Sequence, residues 1–427
     1  MIDRSVAPVH KEIKSVNLDD YELKYLSNGI PVYVFNTGSQ NVVSIEIMFD
    51  AGSFNQSKPL VASCTNALLM EGTAKYSSQQ INEALDFYGS FLQTDITKDC
   101  ASVALYALNK QLDSVLPYLN EVLLNPTFPE NELQIHLSRI KQQFLVNIEK
   151  NSSIARREFL NVLYGDNHPY GRKAEVEFFD QIDREDLVHF WVKNYTAKNC
   201  KIFLAGKITS EVFKSVDSSI SFPSANSEEL NHTTEPVSAK KFKHFIEKPN
   251  SLQSAIRIGK RTIGKSHHDF AKLHVVNTIL GGYFGSRLMS NIREDKGYTY
   301  GIGSFVAPQK HDSYFGISTE VGADVSQKAI NEIYKELESL RTELVSEEEL
   351  NLVKSYLMGE LLKSVDGPFS VAERWKGIIL FDLDKSYFDN LVNTILNITP
   401  IEVRDIAERY LGSNDMYEVL VGSNNMN

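Results

Sequence analysis

Two side chains seven positions apart, Arg293 and Tyr300, carry the first suggestion of chemistry in this sequence. They lie in GGYFGSRLMSNIREDKGYTYG, residues 281–301, where a helix-like run leads into a short aromatic strand. A guanidinium and a phenol both donate hydrogen bonds, so the two folded towards one another could grip a single carbonyl oxygen. The same residues also fit a plainer reading, a surface arginine near a packed tyrosine. Gly297 between them is a natural helix stop, because glycine adopts the left-handed conformation that closes a helix. Arg293 is therefore expected in the last helical turn and Tyr300 on the strand that follows.

A second signal points to different chemistry. GKRTIGKS, residues 259–266, fits the phosphate-loop pattern, preceded by a strand-like QSAIRI and followed by a helix-like run. IILFD, residues 378–382, resembles the apolar strand that ends in a magnesium-binding aspartate. A metal site has less support. The ten histidines are scattered, His267-His268 is their only adjacent pair, and no two stand at i and i+4 around a glutamate. His168 in HPYGR reads as a helix-ending residue. There is no G-x-S-x-G elbow, and Cys64 lies in an apolar helix where a thiol is core.

The elements that must position these residues are bounded by composition. A chain of 427 residues suits two domains, and 42% hydrophobic with 23% charged residues describes an ordinary globular protein. A net charge of -11 and a pI near 5.5 argue against nucleic acid as a partner. Three widely spaced cysteines support neither a disulfide framework nor a metal knuckle. The amino terminus lacks the apolar core of a secretory signal, and no run reaches membrane-spanning length. A cytoplasmic protein with no membrane partner is the expectation, or a periplasmic one if a signal has been removed.

Strand and helix signals then fall into two similar series. ELKYLSNGIPVYVFN predicts a hairpin around Asn28-Gly29. Glu132-Leu133 in FPENELQ recurs as Glu349-Leu350 in VSEEELN, 217 positions on, and Gly206 in IFLAG recurs as Gly422 in EVLVG, 216 positions on. SIARREFLNVLYGD lies over SVAERWKGIILFDL at 217. IILFD thus corresponds to NVLYG, a helix end, which argues against the nucleotide reading. The expected architecture is α+β: two similar halves, residues 1–220 and 239–427, each an antiparallel sheet with helices mainly on one face. Residues 221–238, polar and containing prolines, read as the linker between them.

LSNGIPVYV, the helix ending MEGT, FPENEL, LYGDNHPYGR, the 281–301 block and the duplication together resemble the insulinase or pitrilysin-type zinc peptidases, the family that includes mitochondrial processing peptidase. On that resemblance GKRTIGKS is a family loop that happens to match a phosphate-loop pattern. Active members carry H-x-x-E-H shortly before Gly-Thr, with a further glutamate ligand downstream; two histidines one helical turn apart bind zinc and the motif glutamate activates water. Counted back from Gly72-Thr73, the histidine positions here are Ser63 and Ala67, the base position is Asn66, and the distal ligand falls near Gln143. None can do its job, so the resemblance implies a chain with no zinc of its own. It further implies that Arg293 and Tyr300 bind substrate near the scissile carbonyl. Some bacterial members divide the work between two chains, and this one matches the zinc-free type. The implied role is a non-catalytic subunit that offers Arg293 and Tyr300 to a peptide held on a zinc-bearing homologous partner, as a heterodimer, with a homodimer as the other arrangement. An inactive structural scaffold or peptide-binding homologue, and a nucleotide-binding protein acting through GKRTIGKS, are the alternatives.

Overall fold

The computed structural model describes residues 12–220, 222 and 235–423. Two sheets are built from residues on either side of the 221–238 segment. Most of that segment lies outside the described residues. At its end, Val237 N donates to Tyr164 O and Ser238 Oγ to Leu163 O.

The first half contains β1 (Glu22–Tyr25), β2 (Pro31–Phe35), β3 (Val42–Phe49), α1 (Val61–Leu68), α2 (Ser78–Phe87), β4 (Phe91–Ile96) and β5 (Ala101–Leu108). It continues through α3 (Leu112–Leu124), α4 (Glu130–Ile148), α5 (Asn151–Tyr164), α6 (Arg184–Asn194), β6 (Cys200–Gly206) and α7 (Ser210–Ser219). The second half opens with β7 (Lys243–Glu247), β8 (Gln253–Arg261), α8 (Phe270–Asn277), β9 (Thr299–Pro308) and β10 (Ser313–Gly322). Then come α9 (Ser326–Thr342), α10 (Glu347–Lys363), α11 (Gly367–Ile379), α12 (Lys385–Asn397), α13 (Pro400–Tyr410) and β11 (Tyr417–Gly422).

The strand orders β1-β2-β6-β3-β5-β4 and β7-β11-β8-β10-β9 are the same pattern with one strand added in the first half. The predicted hairpin forms between β1 and β2, and Gly29 at its turn has φ 86°. The sheets are antiparallel except at one pair each, β2 with β6 and β7 with β11, which run parallel. The last strand of each half slots beside an early one, so β2 and β3 do not pair with each other.

Each sheet carries its own half's helices on one face, and the structure adds a helix from the other half on the opposite face. Ile202 and Leu204 of β6 join the first-half helix core, while the alternate residues Phe203 and Ala205 share a cluster with Trp375 of α11. In the same way Ile256 and Ile258 of β8 face the second-half helices, and Ala255 packs with Phe159 of α5. Period-2 alternation sends successive side chains to opposite faces, so a strand covered on both sides reads as a continuous apolar run. IFLAG and EVLVG are such runs. Gly259 makes the crossing possible, since a Cβ there would lie 2.9 Å from Phe159 Cζ and 2.0 Å from Phe315 O. Lys376 of α11 also bonds Glu46 of β3 at 2.9 and 3.0 Å, and Trp375 Nε1 donates to Asp19 O at 2.8 Å.

These contacts dispose of the phosphate loop. Gly259 to Arg261 belong to β8, and the next helix begins only at Phe270. Lys265 Nζ donates to Gly377 O at 2.8 Å and sits 4.2 Å over the Phe381 ring. Ile378-Ile379 end α11, and Asp382 just beyond has φ 54°, as its counterpart Gly165 after α5 has φ 80°. The three cysteines are buried and free.

Candidate functional site

On α1, Ser63 and Ala67 are one turn apart and half-buried, and Ser63 lines a cavity of about 710 Å³. Asn66 lies on the inner side, where its amide is used at both ends: Nδ2 donates to Asp95 O at 2.7 Å and Oδ1 accepts from Tyr195 OH at 3.0 Å. Ser63 Oγ turns back to Leu60 O at 2.8 Å. Gln143 is exposed on α4, while its neighbour Phe144 reaches the cavity wall. The helix geometry that presents two zinc ligands is therefore kept, and the ligands are not.

The wall itself would repel a metal. Lys98, Arg156 and Arg157 all line this cavity. The Lys98 and Arg156 side chains make no hydrogen bond or ion pair with any described residue, and burial followed by the Arg156 charge holds Lys98 below the usual lysine range. Arg157 lies 4.9 Å over the Phe144 ring and bonds Ala174 O, but its buried Nε has no partner. A divalent cation beside these like charges would be disfavoured by Coulomb repulsion. The residues present do not fit zinc. Among the described residues, the three-member group suited to a metal is His267, His268 and Asp269, before α8. There Asp269 already accepts Arg409 Nη1 at 2.6 Å and Tyr410 OH at 2.7 Å, and His267 Nδ1 accepts from Asp269 N.

The arginine–tyrosine block has the expected local form. Gly297 takes φ 65° and ends the helical turns of Met289–Asp295, which close through a wide bond from Lys296 N to Asn291 O. Arg293 stands in the last of these turns, with its guanidinium 4.7 Å from the Phe284 ring and Nη1 3.9 Å from Glu294. Tyr300 follows on β9 and is 93% exposed. A bulge presents it: Thr299 and Ile302 pair with Val321 and Thr319, leaving Tyr300 and Gly301 opposite the single Glu320. Thr299 Oγ1 bonds Glu320 O at 2.7 Å, and Thr319 Oγ1 bonds Gly301 O at 2.9 Å, so the backbone is pinned while the phenol is free. No hydrogen bond or ring contact joins Arg293 to Tyr300, and the structure does not bring the two side chains together on its own.

A cavity of about 300 Å³ beside Tyr300 includes Ser152, Arg257 and Glu320. Ser152 and Ser153, consecutive in the first turn of α5, line the Tyr300 cavity and the Ser63 cavity respectively. Burial and then the charge of Arg156, from the Ser63 cavity, lower the Arg257 pKa. Sequence reasoning missed Lys98, Arg156, Arg157 and Arg257. The one available signal was Arg257 itself, a charge inside the apolar run QSAIRI.

A family model described as Insulinase (Peptidase family M16) matches residues 32–172, and one described as Peptidase M16 inactive domain matches residues 181–357. An uncharacterized zinc protease of Bacillus subtilis is 22% identical over 404 residues, spanning 93% of this chain and 98% of that protein. A crystal structure of a peptidase M16 inactive domain from Pseudomonas fluorescens has a TM-score of 0.84 at 24% identity, covering 94% of this chain and 98% of that one. A protease from Helicobacter pylori has a TM-score of 0.82 at 17% identity, covering 95% and 100%. At these identities the structures share the fold. With both sheets lying largely within the two family matches, and an α1 whose motif positions hold Ser63, Asn66 and Ala67, the chain belongs to the insulinase (M16) peptidase family as a homologue without the zinc motif.

Proposed function

We propose that this chain is the non-catalytic subunit of a two-chain zinc metallopeptidase, supplying Arg293 and Tyr300 to a peptide bound on a homologous zinc-bearing partner. The observation that carries the reading is the state of Tyr300: a hydrogen-bonded bulge holds its backbone while its phenol meets no partner among the described residues. A phenol carried on a pinned backbone and bonded to no protein group is available to a group from outside the chain. A zinc ion held by that partner would supply the activated water and the Lewis acid, which nothing in this chain provides. This chain's own contribution is to bind and orient: Tyr300 OH and the Arg293 guanidinium donate to the substrate carbonyl oxygen, where charge develops. Among the described residues no helix is long and apolar enough to cross a membrane.

The test is reconstitution. Neither the chain alone nor a zinc-bearing relative alone should match the peptide turnover of the two mixed, and the mixture should co-elute as one species. Co-elution without any gain in turnover would replace this reading with that of a scaffold. Turnover in the mixture unchanged by Arg293→Ala and Tyr300→Phe would remove the role assigned to the pair.

A further inference from the structure

The motif lysine that the peptidase reading leaves unused, Lys265, opens a different question. It lines a cavity of about 400 Å³ inside the second half, between α8, α10, α11, α12 and the end of β9. Two further basic side chains face the same space, His274 of α8 and Arg374 of α11. The rest of the wall is mainly apolar and includes Phe270, Leu357, Leu361, Leu391 and Ile395.

The donors in this cavity outnumber their acceptors. Lys265 Nζ uses one donor on Gly377 O and rests over the Phe381 face, leaving two donors unspent. Arg374 lies 5.1 Å over the Phe388 ring; its Nε and Nη2 are enclosed with no hydrogen-bond partner, and Nη1 is the guanidinium nitrogen left open. The His274 ring has no hydrogen-bond partner among the described residues. Two glutamates also reach the cavity, Glu360 and Glu373, but both are exposed and Glu373 bonds Lys376. Half-buried like charges that form no ion pair are costly, and the cost shows in the groups themselves. Burial, followed by Arg374, pulls Lys265 down to about 8 and His274 to about 4.

We infer that this cavity is a binding site for a small amphipathic carboxylate, whose anionic head meets Arg374 and Lys265 and whose apolar tail lies against the leucine and isoleucine wall. A carboxylate can accept from the open guanidinium nitrogen and from the ammonium together, and the exposed Glu360 and Glu373 make no ion pair with either. The apolar wall favours a ligand with a hydrocarbon tail over inorganic phosphate, and the volume falls within the range of small-molecule sites. A free aliphatic acid and the carboxy terminus of a peptide ending in leucine share this chemistry. The site involves neither Tyr300 nor Arg293, so its fate is separate from that of the peptidase reading.

Calorimetry and thermal melting of the purified chain with sodium octanoate test it. One saturable site is expected, with a rise in melting temperature, and with acetate, octan-1-ol and inorganic phosphate each binding at least tenfold more weakly. Lys265→Met and Arg374→Met should each weaken octanoate at least tenfold, and Arg374→Met should melt above wild type without ligand because a buried unpaired charge is gone. If Arg374→Met does not fold, Lys265→Met decides alone. A short peptide ending in leucine competing with octanoate, where its amide does not, would identify a peptide terminus as the ligand; failure to compete would identify a free acid. No octanoate binding by wild type, binding unchanged in the folded variants, or phosphate binding as tightly as octanoate would each overturn the site.

Discussion

On α1 the polar side chains are turned inward on their own fold, Asn66 bonded at both ends of its amide and Ser63 back to Leu60. On β9 the arrangement is the reverse: threonines bond the backbone on either side of Tyr300, and the phenol itself is left free. Both regions keep the scaffold expected of a peptidase site, a helix with two positions one turn apart and a strand after a glycine-ended helix. They differ in where the hydrogen-bonding capacity goes. A satisfied buried group contributes to stability, and a free group on a fixed backbone is available to a ligand. Without metal ligands α1 is a structural helix, while β9 carries a hydroxyl that bonds nothing in its own fold.

The comparison breaks most completely if the metal belongs to this chain. Chelation should abolish peptidase activity of the reconstituted complex and leave the melting temperature of this chain alone unchanged; a drop in the isolated chain would mean that it holds the metal itself. Next in size, Arg293→Ala should lower turnover of the complex by at least about a hundredfold, roughly 3 kcal/mol of transition-state stabilisation, with Tyr300→Phe close behind and assembly intact. Asn66→Ala should instead act on folding. It strips partners from Asp95 O and Tyr195 OH and should cost about 2 kcal/mol, read as a lower denaturant midpoint at constant m.

A smaller effect sharpens the electrostatic side of the contrast. Lys98 titrates below its unfolded value of 10.5, so the folded chain releases this proton first. Stability contributed by that difference is fully present above 10.5 and is lost as pH falls through the folded value. Lys98→Met should therefore flatten the alkaline rise in stability; a slope equal to that of wild type would show that the lysine is solvated. Smallest of all, Tyr300→Phe should leave the stability of the isolated chain within about 0.5 kcal/mol of wild type, because its hydroxyl bonds nothing there. A larger loss would make Tyr300 a structural residue like Asn66.

Much of this protein was legible from local pattern. The hairpin at Asn28-Gly29, the helix stop at Gly297 and the helical end of IILFD follow from backbone sterics and from the duplication, both of which act over a few residues or repeat at a fixed spacing. The missing zinc motif is equally local, because it depends only on which side chains occupy Ser63, Asn66 and Ala67. The tertiary structure alone decided the rest. No periodicity in α5 says that Phe159 will pack on the sheet of the other half, since an apolar face specifies burial without naming its partner. Lys98, Arg156 and Arg257 come from three distant segments, and only the tertiary packing brings the charge of Arg156 close enough to lower the pKa of the other two. The bulge at Tyr300 arises from the register of β9 against β10, and the burial of Lys265 arises from α11 and α12 closing over it. Neighbours in sequence determine conformation through sterics; which charges and cavities face one another is set by the long-range packing that buries them.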